Sequence, residues 1–132
     1  MKYRGQMPTL LLSDDGAHRI APTDFKRWKD ALRQFDRRRK DRAKVDELKE
    51  LIVAQGLQKP ILLCVHEKYP DVYVSDGHHR AVALMELGAL TFPFHWHYIR
   101  GGVRIERNPF PYGLLGLDGP AQAKSKKRSI WW

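Results

Sequence analysis

Cysteine is nearly absent. Cys64 stands alone, so the chain cannot close an internal disulfide, and its place inside the apolar run ILLCV makes a buried, inert thiol the expectation instead of a redox centre. Long hydrophobic runs are missing too. The stretch Ile61–Val65 is far short of the ~20 residues of a membrane-spanning helix, and the first residues show no signal-peptide core, so the expectation is a cytoplasmic protein without a membrane partner. No internal repeat is visible, which sets solenoids aside. What remains suits one domain with tails, since 132 residues at 42% hydrophobic content can bury a core unaided.

Acidic residues are scarce where basic ones crowd. The net charge is +9; ten Lys/Arg face three Asp between Lys26 and Lys44, and the stretch from Gly119 onward has four Lys/Arg and no acid. Charge gathered in one segment and one tail is the footprint of a chain that meets polyanions, against the plainer reading of a solvated face. The candidate nucleic-acid contacts are Arg37, Arg38, Arg39, Lys40, Arg42 and Lys44 in the run RRRKDRAK, with Lys124, Lys126, Lys127 and Arg128 in the tail. DNA is the favoured partner. Ile130, Trp131 and Trp132 could stack on bases or anchor in a protein partner's groove.

The organisation reads as alternating strands and helices. TLLLS (Thr9–Ser13) predicts a short strand, and HRIAP (His18–Pro22) an extended piece. Thr23 offers an N-cap, after which Phe25, Trp28, Leu32 and Phe35 recur at helical spacing with Lys and Arg largely off the stripe. VDELKELIVAQG predicts a second helix ending at Gly56. ILLCV and VYVSD, joined by the turn EKYPD, predict a hairpin, and a helix from about Arg80 to Gly88 follows. FPFHWHYIR, the turn Gly101-Gly102 and VRIER predict a last hairpin. From Asn108 the Gly- and Pro-rich composition predicts an irregular arm, giving a domain over 1–107 and an arm with a basic tail over 108–132. Trp28 and Trp96 lie on apolar stripes and are expected in the core.

The stretch VYVSDGHHR carries the chemistry. A strand that runs through Gly77 into a helix places unpaired backbone N–H groups and the positive end of the helix dipole at the turn, a phosphate site in waiting. Gly77 leaves room, Arg80 supplies a planar cation, and His78 and His79 can donate hydrogen bonds. Asp76, an anion beside an anion site, could cap the helix, bind Mg²⁺ or accept a hydroxyl proton, so Asp76 and His78 are the catalytic candidates. The plainer alternative is a cap, a turn and two structural histidines. His95 and His97 share one face of their strand and with His78 or His79 could form a metal site, but paired strand histidines are commonly just a polar face, and no metal ligand is assigned.

Residues 45 to 96 resemble the core of the ParB/sulfiredoxin superfamily: helix, Gly, Pro-Ile strand, second strand, a G-x-x-R turn, and a helix ending in Leu-Gly before another strand. The resemblance implies a small α/β (α+β) domain, a mixed sheet with packed helices, whose turn at Gly77, His78, His79 and Arg80 cradles nucleotide phosphates. ParB partition proteins, which bind CTP and clamp DNA, show G-E-R-R at this turn, and His78 and His79 depart from it. Sulfiredoxins show G-C-H-R with a nucleophilic cysteine, a place His78 takes here, so their redox chemistry is not expected. The string D-G-H-H-R is similar to that of nucleotide-dependent free serine kinases, which implies that Asp76 helps activate a hydroxyl. The implied cofactor is CTP, ATP or ADP with Mg²⁺. ParB proteins carry a helix-turn-helix after this core, and the 24 residues beyond Asn108 are too few for one, a stripped-down form that suggests a phage or mobile element.

The expectation is a compact ParB-like nucleic-acid-binding protein with a phosphate-binding turn at Asp76–Arg80. The alternatives are a phosphotransferase, a metal-assisted nuclease, or an interaction module with a vestigial turn. A homodimer is compatible with each.

Overall fold

The computed structural model describes residues 5–107 and 109–120. It begins with strand β1 (Gly5–Pro8), a single 3₁₀ turn (Thr9–Leu11) and the short strand β2 (Ile20–Pro22). Two helices follow, α1 (Trp28–Arg37) and α2 (Arg39–Gln55). Strands β3 (Ile61–His66) and β4 (Val72–Asp76) lead into helix α3 (His78–Leu87), and β5 (Thr91–Arg100) with β6 (Val103–Ile105) completes the sheet.

The six strands form one mixed sheet in the order β1-β5-β3-β4-β2, with β6 also on β5. β3 is central, antiparallel to β4 and parallel to β5. Alternation along these strands decides what is buried. Ile61, Leu63 and Val65 of β3 and Val72 and Val74 of β4 point into the same core as Phe92, Phe94 and Trp96 of β5. Phe92 and Phe94 are fully buried, each worth about 1.5–3 kcal/mol in removal from water. Trp28 and Trp96 sit in this core as the apolar stripes require.

The helices cover it according to their own patterns. α1 buries Trp28, Ala31 and Phe35 on one stripe, and α2 buries Val45 and Ile52, two turns apart. In α3 the run Ala81–Leu84 is wholly buried, as befits a helix packed on several sides. Both expected hairpins are present, with a register irregularity between Leu62 and Leu63 in the first. Among the described residues no helix is long and apolar enough to cross a membrane.

Four expectations need correction. TLLLS is a 3₁₀ turn, the strand lying just before it. Helix α1 starts at Trp28, not near Thr23, because its cap comes from a distant loop: Asp14 accepts the backbone N–H of Trp28 at 2.6 Å and of Lys29 at 2.9 Å. Helix α2 starts at Arg39, six residues before the expected Val45, so the basic run is helix from its third residue on. The start of the arm is not a loose appendage: Phe110, Tyr112 and Leu115 are buried, and Phe110 meets Phe94 and Trp96 edge-on at 5.2 Å. The candidate contacts Lys124, Lys126, Lys127 and Arg128, and the pair Trp131 and Trp132, lie outside the described residues.

Asp14→Ala should remove the carboxylate that caps the start of α1 and destabilise the fold by about 1–2 kcal/mol. Thermal melting checks this; an unchanged Tm would show that water caps α1 equally well.

Candidate functional site

β4 ends at Asp76, and Gly77 turns the chain with φ of +109°, a left-handed conformation that favours glycine. Helix α3 begins at once. The N–H of Ala81 is the first to bond within the helix, to the carbonyl of Gly77 at 2.8 Å. The amides of His78, His79 and Arg80 therefore precede the helical ladder, no side chain caps them, and no acidic residue lies in the first turn.

Arg80 folds back across this turn. A Cβ on Gly77 would lie 2.9 Å from its Nη2, so glycine is needed for the guanidinium's approach as well as for the backbone angle. Nη2 stands 3.4 Å from Oδ2 of Asp76, whose carboxylate is 77% exposed.

The two histidines have separate duties. His78 is buried, and its Nε2 accepts the backbone N–H of Thr23 at 3.0 Å and, more weakly, that of Asp24 at 3.5 Å. Nδ1 lies 3.5 Å from the Asp24 carboxylate, and the ring packs near Trp28 and Phe25. Burial holds its pKa below the usual imidazole value, outweighing the pull of Asp24. With its Nε2 accepting two backbone amides, His78 clamps the segment after β2 to the start of α3. His79 stacks on Phe35 at 4.3 Å, nearly parallel. Its Nε2 is 2.9 Å from Asp41, and that hydrogen bond, with help from Gln34, holds the Asp41 carboxyl below its ordinary range.

The turn opens into a cleft of about 720 Å³ between α3, α2 and the loop from Gly56 to Lys59. Lys44 and Lys59 line it with Arg80, and Leu48, Leu51 and Leu57 form its apolar wall. Lys59 and the leucines are absent from the sequence-based candidates. A signal for Lys59 existed: β3 runs antiparallel to β4 with Leu62 opposite Asp76, so residues just before β3 must lie beside those just after β4.

The basic run divides. Arg37, Arg38, Arg39 and Lys40 are exposed. Lys44 is exposed as well but belongs to the cleft. Arg42 is held on the protein itself: its guanidinium grips Glu86 of α3 through two contacts, 2.9 and 2.7 Å, and also reaches Asp46 at 2.7 Å and Asp36 at 3.2 Å. These three carboxylates hold Arg42 on the protein's own surface, unlike its exposed neighbours in the run.

Among the described residues no three His, Cys, Asp or Glu gather to hold a metal ion. His97 is buried with Nδ1 unpartnered, and burial lowers its pKa. A Mg²⁺ arriving with phosphates needs only one or two carboxylates, and the exposed Asp76 and Asp24 are the ones on the cleft wall. Cys64 is buried, and desolvation pushes its thiol pKa up, the inert state expected.

No protein-family model matches the chain, and no curated protein does. Among solved structures, the crystal structure of sulfiredoxin from Arabidopsis thaliana superposes with a TM-score of 0.50 and 24% sequence identity, covering 74% of this chain and 86% of that one. The fold is thus similar to that of sulfiredoxin, an α/β domain with a mixed sheet, as the residues between 45 and 96 led us to expect.

The depressed pKa values of His78 and His97 have a definite sign. Between the folded value and the ordinary 6.5 the unfolded chain binds more protons, so stability is full above that value and falls as pH drops through it. His78→Gln keeps an acceptor for the Thr23 amide but cannot titrate. Its Tm, measured from about pH 7.5 to about pH 5, should fall less steeply than that of the wild type; equal slopes would mean that His78 is not held neutral.

Proposed function

We propose that the protein binds nucleic acid, DNA in the first place, and that its Asp76–Arg80 turn holds a nucleotide or backbone phosphate. The observation that carries this is the cleft itself. Uncapped amides of α3, the Arg80 guanidinium and the ammonium groups of Lys44 and Lys59 converge on one space, and neither lysine has a recorded ion-pair partner among the described residues.

The chemistry follows from those groups. The first-turn amides offer directional donors and half a positive charge from the helix dipole. Arg80 adds a fork suited to two phosphate oxygens, while the lysines act as mobile point charges. The apolar wall of Leu48, Leu51 and Leu57 suits a base or ribose face. Outside the cleft, Arg37, Arg38, Arg39 and Lys40 form a salt-sensitive surface for further phosphates.

A second reading, a phosphotransferase similar to free serine kinases, is favoured by one feature. Asp76 stands on the cleft wall, mostly exposed and 3.4 Å from Arg80, where a carboxylate could accept a proton from an acceptor hydroxyl while the turn holds the phosphates. Mg²⁺ would accompany the nucleotide and could touch Asp76. A metal-assisted nuclease has less support, since no protein-held metal cluster occurs among the described residues.

Two measurements test the proposal. At least one of CTP, ATP or ADP, with Mg²⁺, should raise the Tm of the wild type and fail to raise that of Arg80→Ala; no shift with any of them would mean a cleft that does not take free nucleotides. DNA affinity should fall steeply with salt. Replacing Arg37, Arg38 and Arg39 together by Ala should reduce the slope of log K against log salt by about 2–3, and an unaltered slope would remove this face from the interface.

A further inference from the structure

The cleft and the basic run share one helix. α2 is a continuous rod whose first turn presents Arg39 and Lys40 to solvent, and whose inner stripe, Asp41, Lys44, Leu48 and Leu51, lines the cleft. Lys40 and Lys44 are one turn apart, about 6 Å along the axis. Neither has a recorded ion-pair partner among the described residues. Arg39, Lys40 and Lys44 therefore lead from the exposed surface into the cleft that Arg80 also lines, with the one carboxylate of that stripe, Asp41, turned to His79.

The cleft wall is the second observation. Leu51 is 42% exposed although it lies on the cleft side of the helix. Beside it stand Leu48, Leu57 and Gln58, whose Nε2 donates to the carbonyls of Gln55 at 2.7 Å and Gly56 at 3.4 Å, leaving its Oε1 as the acceptor. An apolar ledge with a neighbouring amide suits the flat face and polar edge of a nucleobase. A base in a duplex cannot supply that face, since it is stacked and paired inside the helix; an unpaired nucleotide can.

Resting on the reading of the cleft as a phosphate site, we propose that its occupant is one unpaired nucleotide of a single strand. Its neighbours' phosphates then run back along Lys44, Lys40 and Arg39. The site for a free nucleotide and the site for nucleic acid are on this view the same site. The two ligands exclude each other instead of binding side by side.

The test uses the full-length chain and a fluorescent 12-nucleotide oligo-dT, with a duplex hairpin of equal charge as the comparison, both followed by anisotropy. Expected are at least tenfold tighter binding of the single strand and its displacement by millimolar ATP or CTP. Leu51→Glu, an exposed substitution that sets a carboxylate on the ledge, should weaken the single strand about tenfold and the hairpin little. Lys59→Glu, in the facing loop, gives the same readout should Leu51→Glu fail to fold by thermal melting. Equal or tighter hairpin binding, or nucleotide and strand bound together without competition, would overturn this inference and leave the function proposed above standing. If neither DNA form binds, both fall.

Discussion

The imidazole of His78 joins two parts of the chain that are more than fifty residues apart. Its Nε2 accepts the amides that follow β2, while its own backbone forms the first residue of α3. The side chain of Thr23 returns the connection by donating its hydroxyl to the carbonyl of Val74 in β4. The end of β2, the end of β4 and the start of α3 are thereby fixed as one unit. Without that acceptor the Thr23 amide would lose its partner at a cost of about 1–3 kcal/mol, and the uncapped amides of α3 would no longer be held in one place. A site made of backbone donors works only if the backbone does not move, and a neutral, buried ring is well suited to keep it so.

The other half of the cleft is set by charge. Arg42 holds Glu86, Asp46 and Asp36 at once, and Lys49 adds a further contact to Glu86 at 3.0 Å. The hydrogen bonds from Arg42 and Lys49 hold the Glu86 carboxyl below its ordinary range. These groups are partly exposed, so each pair adds little stability by itself. Their effect is geometric. The two-contact grip fixes the rotation of α2 against α3, and with it the direction of Lys44 and Leu51. His79 repeats the link one helical layer away through Asp41 and Phe35. Polar contacts thus place α2, whose own apolar stripe is thin.

Sequence alone disclosed what depends on local chemistry. The Gly-x-x-Arg turn, the two hairpins and the αL glycine that ends α3 all follow from turn residues and from periods of two or 3.6. What escaped depends on contacts between distant residues. The α1 cap comes from Asp14, and nothing near residue 28 announces it. The early start of α2 was hidden because Arg and Lys are good helix formers that leave no apolar period. Composition marked the chain from Asn108 as irregular, yet Tyr112–Leu115 is a 3₁₀ turn and Phe110 and Tyr112 are core, because Gly and Pro report on the backbone and not on where a neighbouring aromatic packs. His78 was legible as a residue of the turn, but its grip on the Thr23 and Asp24 amides was not, since that contact depends on which strand lies beside β4. The cleft wall could not be seen, because the loop that brings Leu57 opposite Leu51 has no period of its own.

The contact between Arg80 and Asp76 might be thought to close the site, and magnitudes argue the reverse. At 3.4 Å, with the carboxylate 77% exposed, this pair belongs to the surface class worth about 0–1 kcal/mol. A phosphate in the cleft would offer Arg80 two oxygens, and charge-assisted bonds of that kind are roughly twice as strong as neutral ones. It would also meet the first-turn amides, whose dipole term alone adds about 0.3–1 kcal/mol. Those amides offer nothing to Asp76, which precedes the turn. On the proposed reading a phosphate would therefore compete with the Asp76 carboxylate for the guanidinium, and the first-turn amides are what would favour it. Asp76 holds Arg80 folded over Gly77; were a phosphate to bind as proposed, Asp76 would be left an exposed carboxylate beside it, the position from which a metal or a hydroxyl could be engaged.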